Sequence, residues 1–114
     1  MTIREAKDVF DKEDFQADED WEILPQTAYE CSVCKEKVVF SLKDLDKHAF
    51  SKSTNLSREH AEEIESLIRT SQLGGFTSFI DFYCPTCQRP IRVYYQSWAG
   101  GRFTHGHHLQ YVID

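Results

Sequence analysis

The sequence lacks the features that mark several large classes of protein. A membrane-spanning helix needs roughly eighteen consecutive apolar residues, and no stretch of the sequence approaches that length. The sequence pattern therefore argues against a membrane-spanning helix. Residues 1–15 contain no apolar core of the kind a secretory signal needs, so we expect a cytoplasmic protein whose thiols stay reduced. With 13 basic against 19 acidic residues, the net charge of −6 argues against a body that binds phosphate backbones throughout.

The negative charge is concentrated at the N-terminus. Residues 1–24 sum to −6, whereas residues 25–114 carry equal numbers of acidic and basic side chains. Thr2 and Glu5 fit a capping box, and apolar residues recur at helical spacing after them, which predicts an acidic helix over about residues 2–15. We also expect Trp21–Leu24 to be extended, with the whole segment flanking or packing on one domain formed by residues 25–114.

Residues 58–72 carry the clearest helical pattern in the chain. Ser57 is the expected N-cap, Leu56 and Ala61 form a hydrophobic staple across the first turn, and Gly74-Gly75 is the expected end. Around this helix, short apolar and aromatic segments bounded by turn residues predict further elements: a helix begun by Ser41 and Asp44, and strands at 38–40, 76–83, 91–98 and up to Ile113. The predicted fold class is α+β, a small antiparallel sheet with a helical insertion at about 41–73.

The four cysteines form two pairs, Cys31-Ser-Val-Cys34 and Cys84-Pro-Thr-Cys87. Two CxxC pairs in a reducing compartment predict a tetrahedral four-cysteine zinc site. The two intervening residues make a tight turn in which both sulfurs lie on one side and backbone N–H groups point at them. Because four thiolates leave no open coordination position, we expect one structural Zn²⁺ and no catalysis.

Each pair is followed by a β-like segment, and in this arrangement the chain resembles the zinc-ribbon family. The resemblance covers about residues 29–40 and 82–113 and implies Cys31, Cys34, Cys84 and Cys87 as ligands. Two features depart from the family pattern. Lys35 and Gln88 stand where a ribbon usually has glycine after the second cysteine, and the 49 residues between the pairs exceed a minimal ribbon's spacing.

Two other kinds of site compete for the second cysteine pair. CPTC is similar to a glutaredoxin motif, but that chemistry needs a helix after the motif, and Pro90 with the residues after it favours a strand. His60-Ala-Glu62 followed by CxxC matches part of the zinc-deaminase pattern. Tyr83 stands where that pattern has proline. A deaminase site would also leave Cys31 and Cys34 without a role.

Three histidines lie within four residues, at 105, 107 and 108. His105 and His107 alternate along a predicted strand, so they share a face and could hold an adventitious metal. A nuclease of the ββα-metal type needs a helix after the hairpin, and the residues after His108 read as strand. We expect these histidines to be surface residues, with partner contact as the next possibility.

A small, acidic, non-catalytic domain suits a basic protein partner, since complementary charge speeds association. In size, charge and lack of catalytic motifs the chain is similar to bacterial immunity proteins that neutralise nuclease-type toxins. The residues predicted to contact such a partner are Asp14, Asp18, Glu19, Asp20, Trp98 and Arg102. No membrane contact and no small-molecule substrate are expected.

The alternative is a nucleic-acid-binding or transcription-associated module. Basic and aromatic residues interleave near the cysteine turns, where they could meet phosphates and stack on bases. The residues concerned are Lys35, Lys37, Arg89, Arg92, Tyr94, Tyr95, Trp98, Arg102 and Phe103.

Overall fold

The computed structural model describes residues 1–17, 26–100 and 105–114. In chain order the elements are β1 (Ile3–Glu5), a 3-10 turn (Ala6–Asp8), β2 (Asp14–Ala17), β3 (Gln26–Glu30), β4 (Lys37–Ser41), α1 (Leu42–His48), α2 (Arg58–Thr70), β5 (Ser78–Tyr83), β6 (Pro90–Ala99) and β7 (His105–Ile113). The fold is therefore α+β, as predicted. Neither of these helices has the length and apolar character needed to cross a membrane.

The main sheet is antiparallel throughout. β5 pairs with β6, β6 pairs with β7, and the far edge of β7 is covered at one end by β1 and at the other by β2. β3 and β4 form a separate two-stranded hairpin. Both cysteine pairs lie in hairpin turns, the first between β3 and β4 and the second between β5 and β6.

The predicted N-terminal helix over residues 2–15 is wrong. Ile3–Glu5 and Asp14–Ala17 are strands that pair with β7, and only three residues between them form a 3-10 turn. A short isolated helix is marginal in water, and the edge of β7 offers unpaired backbone groups along its whole length. Pairing with that edge still buries Ala6 and Phe10, two of the residues that suggested the helix. The predicted extended segment Trp21–Leu24 lies outside the described residues.

The sheet buries a separate apolar cluster on each face. On one face, Val93 and Leu109 pack with Leu45 of α1 and with Tyr29 of the β3–β4 hairpin. On the other face, Tyr94 packs against the apolar side of α2. The β3–β4 hairpin with α1, the main sheet and α2 thus make three layers.

A bulge in β7 decides which of its residues face which layer. Tyr94 pairs with Tyr111 and Tyr95 with Leu109, so Gln110 is an extra residue. Leu109 and Val112 consequently reach the same core, although strict alternation would place them on opposite faces. His105 and His107, at alternate positions before Leu109, lie on this same face.

Both helices begin where the sequence predicts, but α2 does not end at the predicted residues. The Ser57 side chain accepts a hydrogen bond from the His60 amide at 3.2 Å, and Asp44 accepts one from the Ser41 amide at 2.8 Å. α2 ends before the predicted glycines. Gln72 takes the left-handed conformation, with φ 56°, and the Leu73 amide bonds back to the Ile68 carbonyl at 3.3 Å.

Candidate metal centre

The two cysteine turns repeat one hydrogen-bond pattern. In the first turn, Cys31 donates its amide to the Glu36 carbonyl at 2.8 Å, and Lys35 donates to the Cys31 carbonyl at 3.1 Å. The second turn makes the equivalent bonds, from Cys84 to the Arg89 carbonyl and from Gln88 to the Cys84 carbonyl, both at 2.9 Å. Each turn therefore holds its own shape before any sulfur is considered.

The residue after the second cysteine of each pair adopts the left-handed conformation that favours glycine. Lys35 has φ 65° and Gln88 has φ 62°. This left-handed region costs a side-chain-bearing residue about 1–2 kcal/mol. The backbone hydrogen bonds of each turn hold both residues in this conformation despite that cost.

The turns bring all four sulfurs together, as the sequence predicts. Cys31 Sγ lies 3.7 Å from Cys87 Sγ, and Cys34 Sγ lies 3.4 Å from Cys84 Sγ. All four lie within 4.8 Å of one another and none is in a disulfide, which needs about 2.05 Å. Thr86 donates to Glu36 at 2.9 Å and ties one turn to the other.

Backbone amides stabilise thiolate at the first cysteine of each pair. Burial alone raises the pKa of Cys31, but amide hydrogen bonds from Cys34 and Val33 outweigh burial and lower it to about 6. Amide hydrogen bonds from Cys87 and Thr86 likewise lower the pKa of Cys84. Amide donors of this kind favour the thiolate, which is the form of cysteine that binds a metal ion.

The second cysteines show the opposite shift. An amide hydrogen bond from Glu36 acts to lower the pKa of Cys34, but burial and the neighbouring sulfurs outweigh it and raise the pKa to about 12. The pKa of Cys87 is also raised, because burial and the neighbouring Cys84 and Cys31 outweigh its amide bond from Arg89. Like charges repel at these distances, so the four thiols do not lose their protons independently of one another.

The competing sites for the second cysteine pair are not assembled. β6 begins at Pro90, so a strand stands where a glutaredoxin-type motif needs its helix. His60 binds the Tyr83 hydroxyl through Nδ1 at 2.8 Å, and Glu62 pairs with Arg58 at 3.1 Å. Among the described residues, Cys84 and Cys87 group with the other two cysteines and not with His60.

The histidine cluster is where sequence reasoning missed most. His107 is only 2% exposed, so the expectation of three surface histidines is wrong for this residue. Its Nε2 lies 2.7 Å from Asp46 Oδ1, and its Nδ1 lies 2.8 Å from Ser97 Oγ. His105 Nε2 approaches the same Asp46 oxygen at 2.8 Å. The sequence predicts that His105 and His107 share one face of a strand, because they alternate along it. It contains no signal that Asp46 lies beside them.

Ser97, His107 and Asp46 form a chain of the residue types found in serine hydrolases. The geometry does not suit that chemistry, because Ser97 is buried and its Oγ also lies 3.0 Å from Ser78 Oγ. A nucleophile must reach a substrate carbonyl. Ser97, His107 and Asp46 therefore form a hydrogen-bond network that positions His107.

Three of the residues predicted to contact nucleic acid lie inside the protein. Tyr94 and Tyr95 are buried in the two cores, and Arg92 is 1% exposed. Arg92 donates to Asp81 at 2.9 Å and lies over the Phe79 ring at 3.9 Å. These three residues can neither meet phosphates nor stack on bases.

The predicted partner-binding residues are only partly placed. Asp14 is exposed on β2, where its Oδ1 lies 2.6 Å from His108 Nδ1, and Trp98 is 39% exposed. The other four predicted contacts, Asp18, Glu19, Asp20 and Arg102, lie outside the described residues.

Compared with protein-family models, curated proteins and solved structures, the chain matches none of them. Any assignment of function therefore depends on the geometry of its own residues.

Proposed function

We propose that this chain is a non-catalytic, zinc-stabilised protein-binding module of the cytoplasm, with a zinc-ribbon-like core. A tetrahedral zinc ion with bonds of about 2.3 Å places its sulfurs about 3.8 Å apart. The separations of 3.7 and 3.4 Å are close to that value. One Zn²⁺ held by Cys31, Cys34, Cys84 and Cys87 would be closed to substrate and would join the two hairpins.

The observation that best supports a binding role is the uneven distribution of charge, because the N-terminal segment is acidic and the rest of the chain is neutral. The whole net charge of −6 belongs to residues 1–24, and most of the acidic residues described there, among them Asp8, Asp11 and Asp14, are exposed. β1 and β2 pair with the main sheet, so the exposed acidic side chains described between residues 5 and 14 are presented on a fixed support. Such a surface steers a basic partner into contact.

The specific case we propose is an immunity protein that neutralises a basic, nuclease-type toxin. A nuclease active site is basic because it binds phosphates, and an acidic surface competes for the same site. The nucleic-acid-binding alternative loses support from the burial of Arg92, Tyr94 and Tyr95. Lys35 and Lys37 remain exposed, but acidic residues elsewhere balance them.

The test measures how charge on the N-terminal segment affects association. Deleting residues 1–24 would remove β1 and β2, so substitutions are the better tool. In a variant with Asp18→Asn, Glu19→Gln and Asp20→Asn, the association rate with a partner captured from native extract should fall, most strongly at low salt. Dissociation should change little, since long-range steering acts on encounter.

The matched control removes the same charge from α2, with Glu59→Gln, Glu62→Gln and Glu63→Gln, all exposed. It should leave association nearly unchanged. The toxin version also predicts that the captured partner is basic, cleaves nucleic acid and loses that activity when the wild-type chain is added. A partner whose activity is unaffected would contradict the immunity role, and direct binding to labelled DNA or RNA with a strong salt dependence would favour the alternative.

A further inference from the structure

We propose that Asp46, His105 and His107 form a second metal site, for a divalent transition-metal ion of the zinc class. The three residues come from α1 and β7, and none of them belongs to the cysteine cluster. The inference does not depend on the proposed partner or on which ion the cysteines hold.

The ligand atoms already converge on a small volume. Both histidine Nε2 atoms approach one atom, Asp46 Oδ1, at 2.8 and 2.7 Å. One ligand atom from each residue lies within 4.8 Å of the others. Two imidazoles and one carboxylate are a donor set that suits Zn²⁺ and related ions.

His107 is held by residues behind it. Its Nδ1 meets Ser97 Oγ at 2.8 Å, and Ser97 Oγ continues to Ser78 Oγ at 3.0 Å. The Tyr95 ring stands perpendicular to the imidazole at 5.3 Å between ring centres. Metal-binding histidines characteristically have such a partner on the second ring nitrogen, which fixes ring orientation and tautomer.

The serine suits a histidine that changes tautomer. While Nε2 of His107 donates a proton to Asp46, the neutral ring must accept a hydrogen bond from Ser97 at Nδ1. An ion on Nε2 requires the opposite tautomer, in which Nδ1–H donates to the Ser97 oxygen. A hydroxyl can do either, so the ion can replace the proton without breaking the bond.

The site is open to solvent on one side, unlike the cysteine cluster. The side chain of Asp46 is 39% exposed and that of His105 is 40% exposed, while His107 forms the buried wall. Three protein ligands leave a fourth position that water can fill. An ion can therefore enter and leave without unfolding the chain, and we expect weaker, exchangeable binding.

The experiment adds Co²⁺ to the intact, zinc-loaded protein. Cobalt at the histidine site should give d–d absorption without the intense sulfur-to-metal bands that thiolate ligands produce. In a parallel titration with Zn²⁺, the imidazole ¹⁵N signals of His107 should move from the Nε2–H to the Nδ1–H pattern. Both readouts report the ligand atoms directly.

The variants are Asp46→Asn and His105→Gln, since both side chains are half exposed and their loss should leave the fold intact by circular dichroism. Loss of a residue that merely supports a ligand typically weakens binding about 10–100-fold, so each variant should weaken it at least about tenfold. The matched control is His108→Gln. His108 is the neighbour of His107, but it bonds to Asp14 at 2.6 Å and should not matter.

Two results would overturn the proposal. One is the absence of any second ion in the wild-type chain at micromolar metal. The other is a second ion whose affinity is unchanged by Asp46→Asn and His105→Gln, or is lost in His108→Gln, because its ligands would then be elsewhere.

Discussion

The cysteine cluster and the histidine cluster differ in how the chain builds them. The cysteine cluster consists of two similar hairpin turns, each formed by residues adjacent in sequence and each supplying two sulfurs. The histidine cluster joins one helix residue, Asp46, to two residues of β7 that lie 59 and 61 positions away. The first is a repeated local motif, whereas the second exists only because α1 packs over the sheet.

The two clusters also differ in what their surroundings allow. Cys31 and Cys84 are fully buried, and four thiolates complete a coordination shell. Asp46 and His105 face solvent, so the histidine site offers three ligands and an open position. We infer that loss of the first should affect folding, whereas loss of the second should affect only binding.

The strongest test of this difference is removal of a cysteine ligand. Cys84→Ser should lower the free energy of unfolding by more than about 4 kcal/mol, because structural zinc contributes on the order of 10 kcal/mol in small domains. Chelation of the wild-type chain should have a similar effect, seen as a large drop in Tm. The control is Ser32→Ala, because Ser32 lies in the other cysteine turn but contributes no sulfur. A Cys84→Ser variant with unchanged Tm would contradict a structural metal.

Substitution of Gly106, which lies between the two histidines, tests whether the histidine cluster depends on the backbone of β7. A Cβ at Gly106 would overlap the Phe15 carbonyl and the Trp98 ring. Gly106→Ala should therefore cost about 1–3 kcal/mol by urea denaturation and weaken binding of the proposed second ion, whereas any ion held by the cysteines should be unaffected. Gly74→Ala is the matched control, because nothing lies within 4 Å of a Cβ there. Equal stability of the two variants would mean that β7 adjusts freely.

Glycine at the left-handed positions of the cysteine turns should be stabilising. Lys35→Gly removes a conformational cost of about 1–2 kcal/mol but adds backbone entropy to the unfolded chain, for a net gain of about 0.5–1 kcal/mol. Lys37→Gly, the same substitution in β4, should instead destabilise, since that residue is extended. Urea denaturation measures both, and a loss of stability in Lys35→Gly would show that its side chain contributes more than its backbone costs.

The smallest expected effect on stability is at the aspartate of the histidine cluster. Asp46→Asn keeps a side-chain oxygen that can accept from His107, so the free energy of unfolding should change by less than about 0.5 kcal/mol. The same variant should weaken binding of the second ion at least about tenfold. If Asp46→Asn instead destabilises the fold as much as Cys84→Ser does, the carboxylate is structural and the two clusters do not differ in the way inferred here.

Local patterns predicted much of the architecture. The cap at Ser57, the turn between the cysteines of each pair and the strand predicted at residues 91–98 depend on neighbours within a few positions. The same reasoning was wrong for residues 2–15, where helical spacing and a capping pattern were present. There the unpaired edge of β7, about a hundred residues away in sequence, made a strand the better partner.

The sequence by itself determined the α+β class, the amphipathic helix α2 and the pairing of cysteines into two turns, because each depends on short-range spacing. Only the tertiary structure decided that Arg92 and Tyr94 are internal, that the bulge at Gln110 turns Leu109 and Val112 to one core, and that Asp46 meets His105 and His107. These outcomes depend on which elements pack together, and packing joins residues whose separation in sequence carries no periodic signal.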